Sequence, residues 1–146
     1  MEFVRLWNMN KIITFLFSCK SFYSDLTLLI FRVVVSGALM THGYGKFIRL
    51  LEGNIWSRTH LFFNEEISLA LVAFAEFFCP IFVAIGFWTR IFTIPIIYTF
   101  IIIVFDVHLD DPFSKMEKGL LFLVSYLLIF TLGPGKMSVD NRIFKS

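Results

Sequence analysis

Residues 67–88 read ISLALVAFAEFFCPIFVAIGFW, and Glu76 is the only charged residue among them. A barrel strand spans a membrane in about 9–11 residues and alternates in polarity. This run is twice as long and does not alternate. It has the length of a helix crossing a hydrocarbon layer about 30 Å thick, which takes about 20 residues. Asn64, Glu65 and Glu66 precede it as a helix-start signature.

Reading outward, three more runs have the same character. Residues 26–41 are broken only by Arg32, with Ser24 and Asp25 placed to cap their start and Gly43 and Gly45 to mark their end. Residues 91–105 carry no charge, and Pro95 is expected to bend them near their start. Residues 119–132 are again uncharged. They follow Ser114-Lys115-Met116-Glu117, a capping-box pattern, and stop at Gly133-Pro134-Gly135, where proline cannot continue a helix. The expected fold is all-α and integral to a membrane: an antiparallel bundle of four spans at 26–43, 67–87, 90–108 and 116–132. The short joint from Gly86 to Arg90 makes the second and third spans antiparallel neighbours. In the segment 46–63, Ile55, Trp56, Leu61, Phe62 and Phe63 predict a short helix lying on the membrane. Residues 1–24 read as an interfacial segment, because the apolar stretch from Ile12 to Phe17 is shorter than the 7–15 residues, roughly, that a cleaved signal needs. Residues 25–142 form the membrane domain and 143–146 a tail.

Composition agrees. Of 146 residues, 58% are hydrophobic and 16% charged, whereas a soluble domain has about 25% charged. So small a soluble body could not hide that much apolar surface. The net charge of +2 and the lack of any basic run exclude nucleic acid as a partner. The two cysteines, Cys19 and Cys79, form no CxxC, so a self-contained dithiol relay lacks its parts. Phosphate-binding loops, dinucleotide glycines, nucleophile elbows, and haem or flavin motifs are absent, so no complete catalytic motif is present. Basic residues divide seven (Arg5, Lys11, Lys20, Arg90, Lys136, Arg142, Lys145) against five (Lys46, Arg49, Arg58, Lys115, Lys118), which favours both termini in the cytoplasm.

Two charges cannot reach an interface. Arg32 lies about 10 Å inside one face if its helix starts near Asp25, and Glu76 lies about 16 Å inside the same face, at 1.5 Å per residue. A charge at this depth costs about 2.5–3.5 kcal/mol and normally meets a partner or a wet cavity. The expectation is an Arg32–Glu76 pair between helices, either fixing register or lining a functional cavity. A second polar group gathers at the outer side: His42, Lys46, Asp106, His108 and Glu117. Its spacing matches no metal signature, and no metal is assigned. It reads as a site for a polar substrate or a proton, against ordinary capping and turn roles. On the cytoplasmic side, Asp140 is placed to reach Arg90 or Arg142.

These residues together resemble the DoxX family. Arg32, Gly37 and Met40-Thr41-His42-Gly43-Tyr44-Gly45-Lys46 resemble its first helix and "hGxxK" turn. Glu76 with Gly86-Phe87-Trp88-Thr89-Arg90 resembles its "E…GxxTR" helix. His108, Glu117 and residues 133–140 resemble its closing "GPGxxSxD". The resemblance covers residues 20–142 and implies a four-helix membrane protein of the bacterial inner membrane, linked to membrane redox work. One relative is a subunit of a thiosulfate:quinone oxidoreductase, and others are linked to thiol and oxidative-stress systems. The expectation is therefore a small subunit supporting redox chemistry. Quinone is the cofactor the resemblance implies, and the partners are the lipid bilayer, an oxidoreductase subunit and further copies of the chain. A proton-coupled transporter and a non-catalytic anchor or assembly factor are the alternatives.

Overall fold

The computed structural model describes residues 24–55, 63–109 and 111–144, and every regular element among them is helical. The helices are α1 (Ser24–Leu51), α2 (Glu65–Ile85), α3 (Thr89–Val107), α4 (Phe113–Leu132) and the short α5 (Val139–Ile143). The first three are long and apolar enough to cross a membrane. The interfacial segment 1–24, apart from Ser24, and most of the helix expected over 55–63 lie outside the described residues.

α1 corrects the expected boundary. It runs eight residues past Gly43, so Lys46 is helical and not in a loop. Gly43 does not end the helix; it lets two helices touch. A Cβ there would lie 2.4 Å from the backbone carbonyl carbon and oxygen of Glu76. α2 begins at the cap Asn64, whose side-chain oxygen accepts a bond from the Ile67 N–H at 2.9 Å. Midway it widens into a π turn over Phe74–Phe78, closed by the Cys79 N–H donating to the Phe74 carbonyl. Pro80 accounts for this turn: it has no N–H for the carbonyl of Glu76, four residues earlier, and its ring would crowd that carbonyl. The carbonyl freed in this way is the group Gly43 approaches.

α3 turns back along α2 after Gly86 (φ 75°) and Trp88 (φ 45°), and Phe82 stacks on Phe92 across the joint at 4.2 Å. It ends in a second π turn, Ile103–Val107, with the His108 N–H on the Ile103 carbonyl. α4 starts at the cap Pro112, so Ser114 lies inside the helix and the expected capping box does not form. It stops at Gly133 (φ 78°).

Leu39, Cys79, Val83, Ile96, Phe100, Leu123, Tyr126 and Ile129 form one buried core contributed by all four long helices. Within it, the Tyr126 hydroxyl donates to Ser36 Oγ at 3.3 Å, so the phenol is not left unsatisfied. The opposite faces stay apolar and exposed: Ile30, Val34, Ile91, Ile94, Leu121 and Val124 are all more than half exposed. Water would penalise such a surface; hydrocarbon does not.

The chain gathers at two ends. At one, the Lys136 N–H donates to Asp25 Oδ1 at 3.2 Å, and the Asp140 N–H to the Gly86 carbonyl at 2.8 Å. The start of α1, the α2–α3 joint and the segment after α4 therefore share the joint end. The later part of α1, the start of α4 and His108 share the other.

Candidate functional site

The opposite end holds a cavity of about 240 Å³ lined by Leu39, His42 and Lys46 of α1, Glu76 of α2, Phe100 and Ile103 of α3, His108 after it, and Lys115, Lys118, Gly119 and Phe122 of α4. Leu39, Phe100, Ile103 and Phe122 form the apolar and aromatic part of the walls. Phe100 stacks on Phe122 at 5.3 Å, and His42 meets the Phe122 ring edge-on at 5.8 Å. The polar groups of the lining are His42, Lys46, Glu76, His108, Lys115 and Lys118.

Glu76 is 1% exposed. The π turn of α2 carries it, and Gly43 admits its backbone against α1. Lys46 Nζ donates to its Oε1 at 2.5 Å. Its Oε2 is buried and has no hydrogen-bond partner among the described residues. A buried acceptor left unmet costs about 1–3 kcal/mol and more when charged, so this oxygen calls for a donor. Lys46 keeps 23% of its side chain exposed, so the pair joins a buried acid to the cavity.

The expected Arg32–Glu76 pair does not form. Arg32 is fully buried, but its Nη2 donates to the Met137 carbonyl at 3.1 Å, and its Nη1 packs on Gly86, where a Cβ would stand 2.3 Å away. Glu76 lies level with Gly43, eleven positions further along α1 than Arg32. At 1.5 Å per residue that is about 16 Å, beyond the reach of an arginine. Counting depths from assumed membrane faces placed the two too close. Arg32 instead joins α1 to the segment after α4.

Of the outer group, His42, Lys46 and His108 line the cavity, while Asp106 and Glu117 are exposed and do not. The structure adds Lys115 and Lys118 to the lining, and Asp111 beside His108. The Asp111 carboxylate accepts from Lys115 Nζ at 2.7 Å and bonds His108 Nδ1 at 2.7 Å. Lys115 and then His108 hold this carboxyl below the usual carboxylate range. The spacings are three from His108 to Asp111 and four from Asp111 to Lys115; the second is a standard helical ion-pair distance and could have flagged the triplet.

Asp140 reaches neither Arg90 nor Arg142 within bonding distance. It accepts from the Trp88 N–H at 2.6 Å and from the Thr89 N–H and Oγ1, each at 2.9 Å. It thus satisfies free N–H groups at the start of α3 and holds the left-handed Trp88. Arg90 Nε donates to the Phe130 carbonyl at 3.2 Å. Gly133, Pro134 and Gly135 turn the chain back over this end, with Gly133 against the Arg90 guanidinium.

A family model, DoxX, matches residues 27–109, more than half of the chain. No curated protein and no solved structure matches it.

Proposed function

The chain belongs to the DoxX family, and from that premise and the site's geometry we propose that it is a small membrane subunit supporting redox chemistry, with the Glu76–Lys46 cavity taking a quinone-type ring. The observation that carries this reading is Glu76 Oε2, a buried acceptor with no donor among the described residues, at the wall of a cavity that Phe100 and Phe122 also line. The residues fit such a group. Glu76 Oε2 can accept from a ring hydroxyl. Lys46 Nζ can donate to a ring carbonyl. Phe100, Phe122 and Leu39 supply apolar walls. When bound, a quinone supplies a couple of two electrons and two protons, and an oxidoreductase partner subunit exchanges the electrons. The chain's own part is to orient the ring, exclude water from it, and hold a proton at Glu76.

The wider setting belongs to the same proposal. α4 has 20 residues, about 30 Å of helix, and is uncharged from Gly119 onward with Leu121, Val124 and Leu128 exposed. This supports a fourth crossing, hence a four-helix bundle with both termini on one side. The basic-residue balance favours the cytoplasmic side of a bacterial inner membrane.

The test is titration of the protein in nanodiscs with a short-chain benzoquinol. Saturable binding that weakens at least tenfold in Glu76→Gln and in Lys46→Met is expected. No binding, or binding indifferent to both substitutions, would overturn the proposal.

A further inference from the structure

The cavity lining includes a polar group, His108, that the binding role does not use. Behind His108 stand Asp111 and Lys115 at the surface. We infer that His108, held by Asp111, is the proton carrier between Glu76 and the aqueous surface at the cavity end. The inference deepens the proposed function and rests on it for its purpose, though not for its test.

The geometry of the ring carries the argument. A neutral imidazole has one N–H and one free lone pair, and a carboxylate on one nitrogen decides which is which. Asp111 Oδ2 lies 2.7 Å from His108 Nδ1, so Nδ1 keeps its hydrogen and donates. Nε2 is then the acceptor. Lys115 Nζ on Asp111 Oδ1 fixes the carboxylate in turn. Asp111 is about one-third exposed and Lys115 more than half, so the triplet joins the cavity to solvent. Asp111 thus orients the His108 ring, the role that second partners play for functional histidines.

The transfer balances simply. The Glu76 carboxyl gives its proton to cavity water, the water passes one on to His108 Nε2, and the imidazolium releases it to solvent. No electron moves. A cavity of about 240 Å³ has room for such water, since one molecule needs about 30 Å³. The other charged or titratable groups on its walls are His42, Lys46, Lys115 and Lys118. His42 is the rival carrier. It packs edge-on against Phe122, and no carboxylate bonds it among the described residues.

The experiment is a pH jump on the full chain in nanodiscs, followed by the infrared carboxyl band that Glu76→Gln removes. His108→Gln is expected to slow proton exchange at Glu76 at least tenfold. Asp111→Asn should slow it several-fold and, by nitrogen NMR, shift His108 from the Nδ1–H form toward a mixture of tautomers. His42→Gln should slow it less than His108→Gln does. An unchanged rate in His108→Gln, an equal or greater slowing in His42→Gln, or a tautomer indifferent to Asp111→Asn would each overturn the inference. The experiment contains no quinol. Failure to bind benzoquinol with the relaxation behaving as expected would therefore sink the proposed function alone.

Discussion

Single residues set the two ends of the molecule apart. Gly43 is a contact residue: any Cβ would drive into the Glu76 carbonyl. Gly43→Ala should lower stability by about 1–3 kcal/mol, the cost of overpacking, read as a lowered midpoint in detergent unfolding. The same substitution at Gly37 or Gly45, where a Cβ meets nothing within 4 Å, should be neutral or slightly stabilising, since alanine favours a helix by up to about 1 kcal/mol. Asp140 accepts three bonds at the start of α3. Asp140→Ala should cost about 1–2 kcal/mol, the range for a lost N-cap, and Asp140→Asn less. Proteolysis of the α2–α3 joint would report it. Both charges buried by lipid depth were visible in the sequence, because an arginine and a glutamate inside apolar runs stand out. Their partners were not, because a buried charge reveals its need for a partner and not which one it takes.

At the scale of elements, the π turn of α2 places Glu76 and the turn after α3 places Asp111. Pro80→Ala would restore a donor for the Glu76 carbonyl and let Phe74–Phe78 tighten to an ordinary helix. Removing the extra residue rotates Glu76 about the helix axis. The coupling between Lys46 and Glu76 in a double-mutant cycle should therefore fall to less than half of its wild-type value; an unchanged coupling would mean that Pro80 does not set the turn. The turn 108–115 answers to pH through Asp111. Its carboxyl is held below the ordinary 3.8, first by Lys115 and then by His108. A depressed folded value contributes stability above the unfolded value and loses it as pH falls through the folded one. Protection of this turn against hydrogen exchange, relative to the intrinsic rate at each pH, should thus hold down to about pH 4 and fall below it, and Asp111→Asn should remove that acid transition. A proline after an acid hints at a π turn, but the pattern also fits a kink or a helix end. Only the approach of α1 decides among them.

For the whole molecule, the strap formed by Gly133–Ile143 ties the joint end together. It touches α1 through Arg32 and Asp25, the joint through Asp140, and α3 through Gly133 on Arg90. Arg32→Met should keep most of the volume but leave the Met137 carbonyl without its donor, a loss of about 1–3 kcal/mol, while benzoquinol binding at the far end persists within about threefold. A proportionate loss of binding would instead show that the two ends act as one unit. The sequence by itself determined the solvent, the helical class and the approximate limits of α2, α3 and α4, because a hydrocarbon layer demands long apolar runs and internally satisfied backbones. It also singled out Arg32, Glu76, His42, Lys46 and His108 as residues out of place. Tertiary structure alone decided that α1 runs on to Leu51, that Arg32 and Glu76 serve opposite ends, that Lys115 and Lys118 join the cavity, and that Asp111 stands behind His108. Those outcomes depend on the relative height of neighbouring helices. Height is set by side-chain and glycine contacts between segments distant in sequence, and no local pattern encodes it.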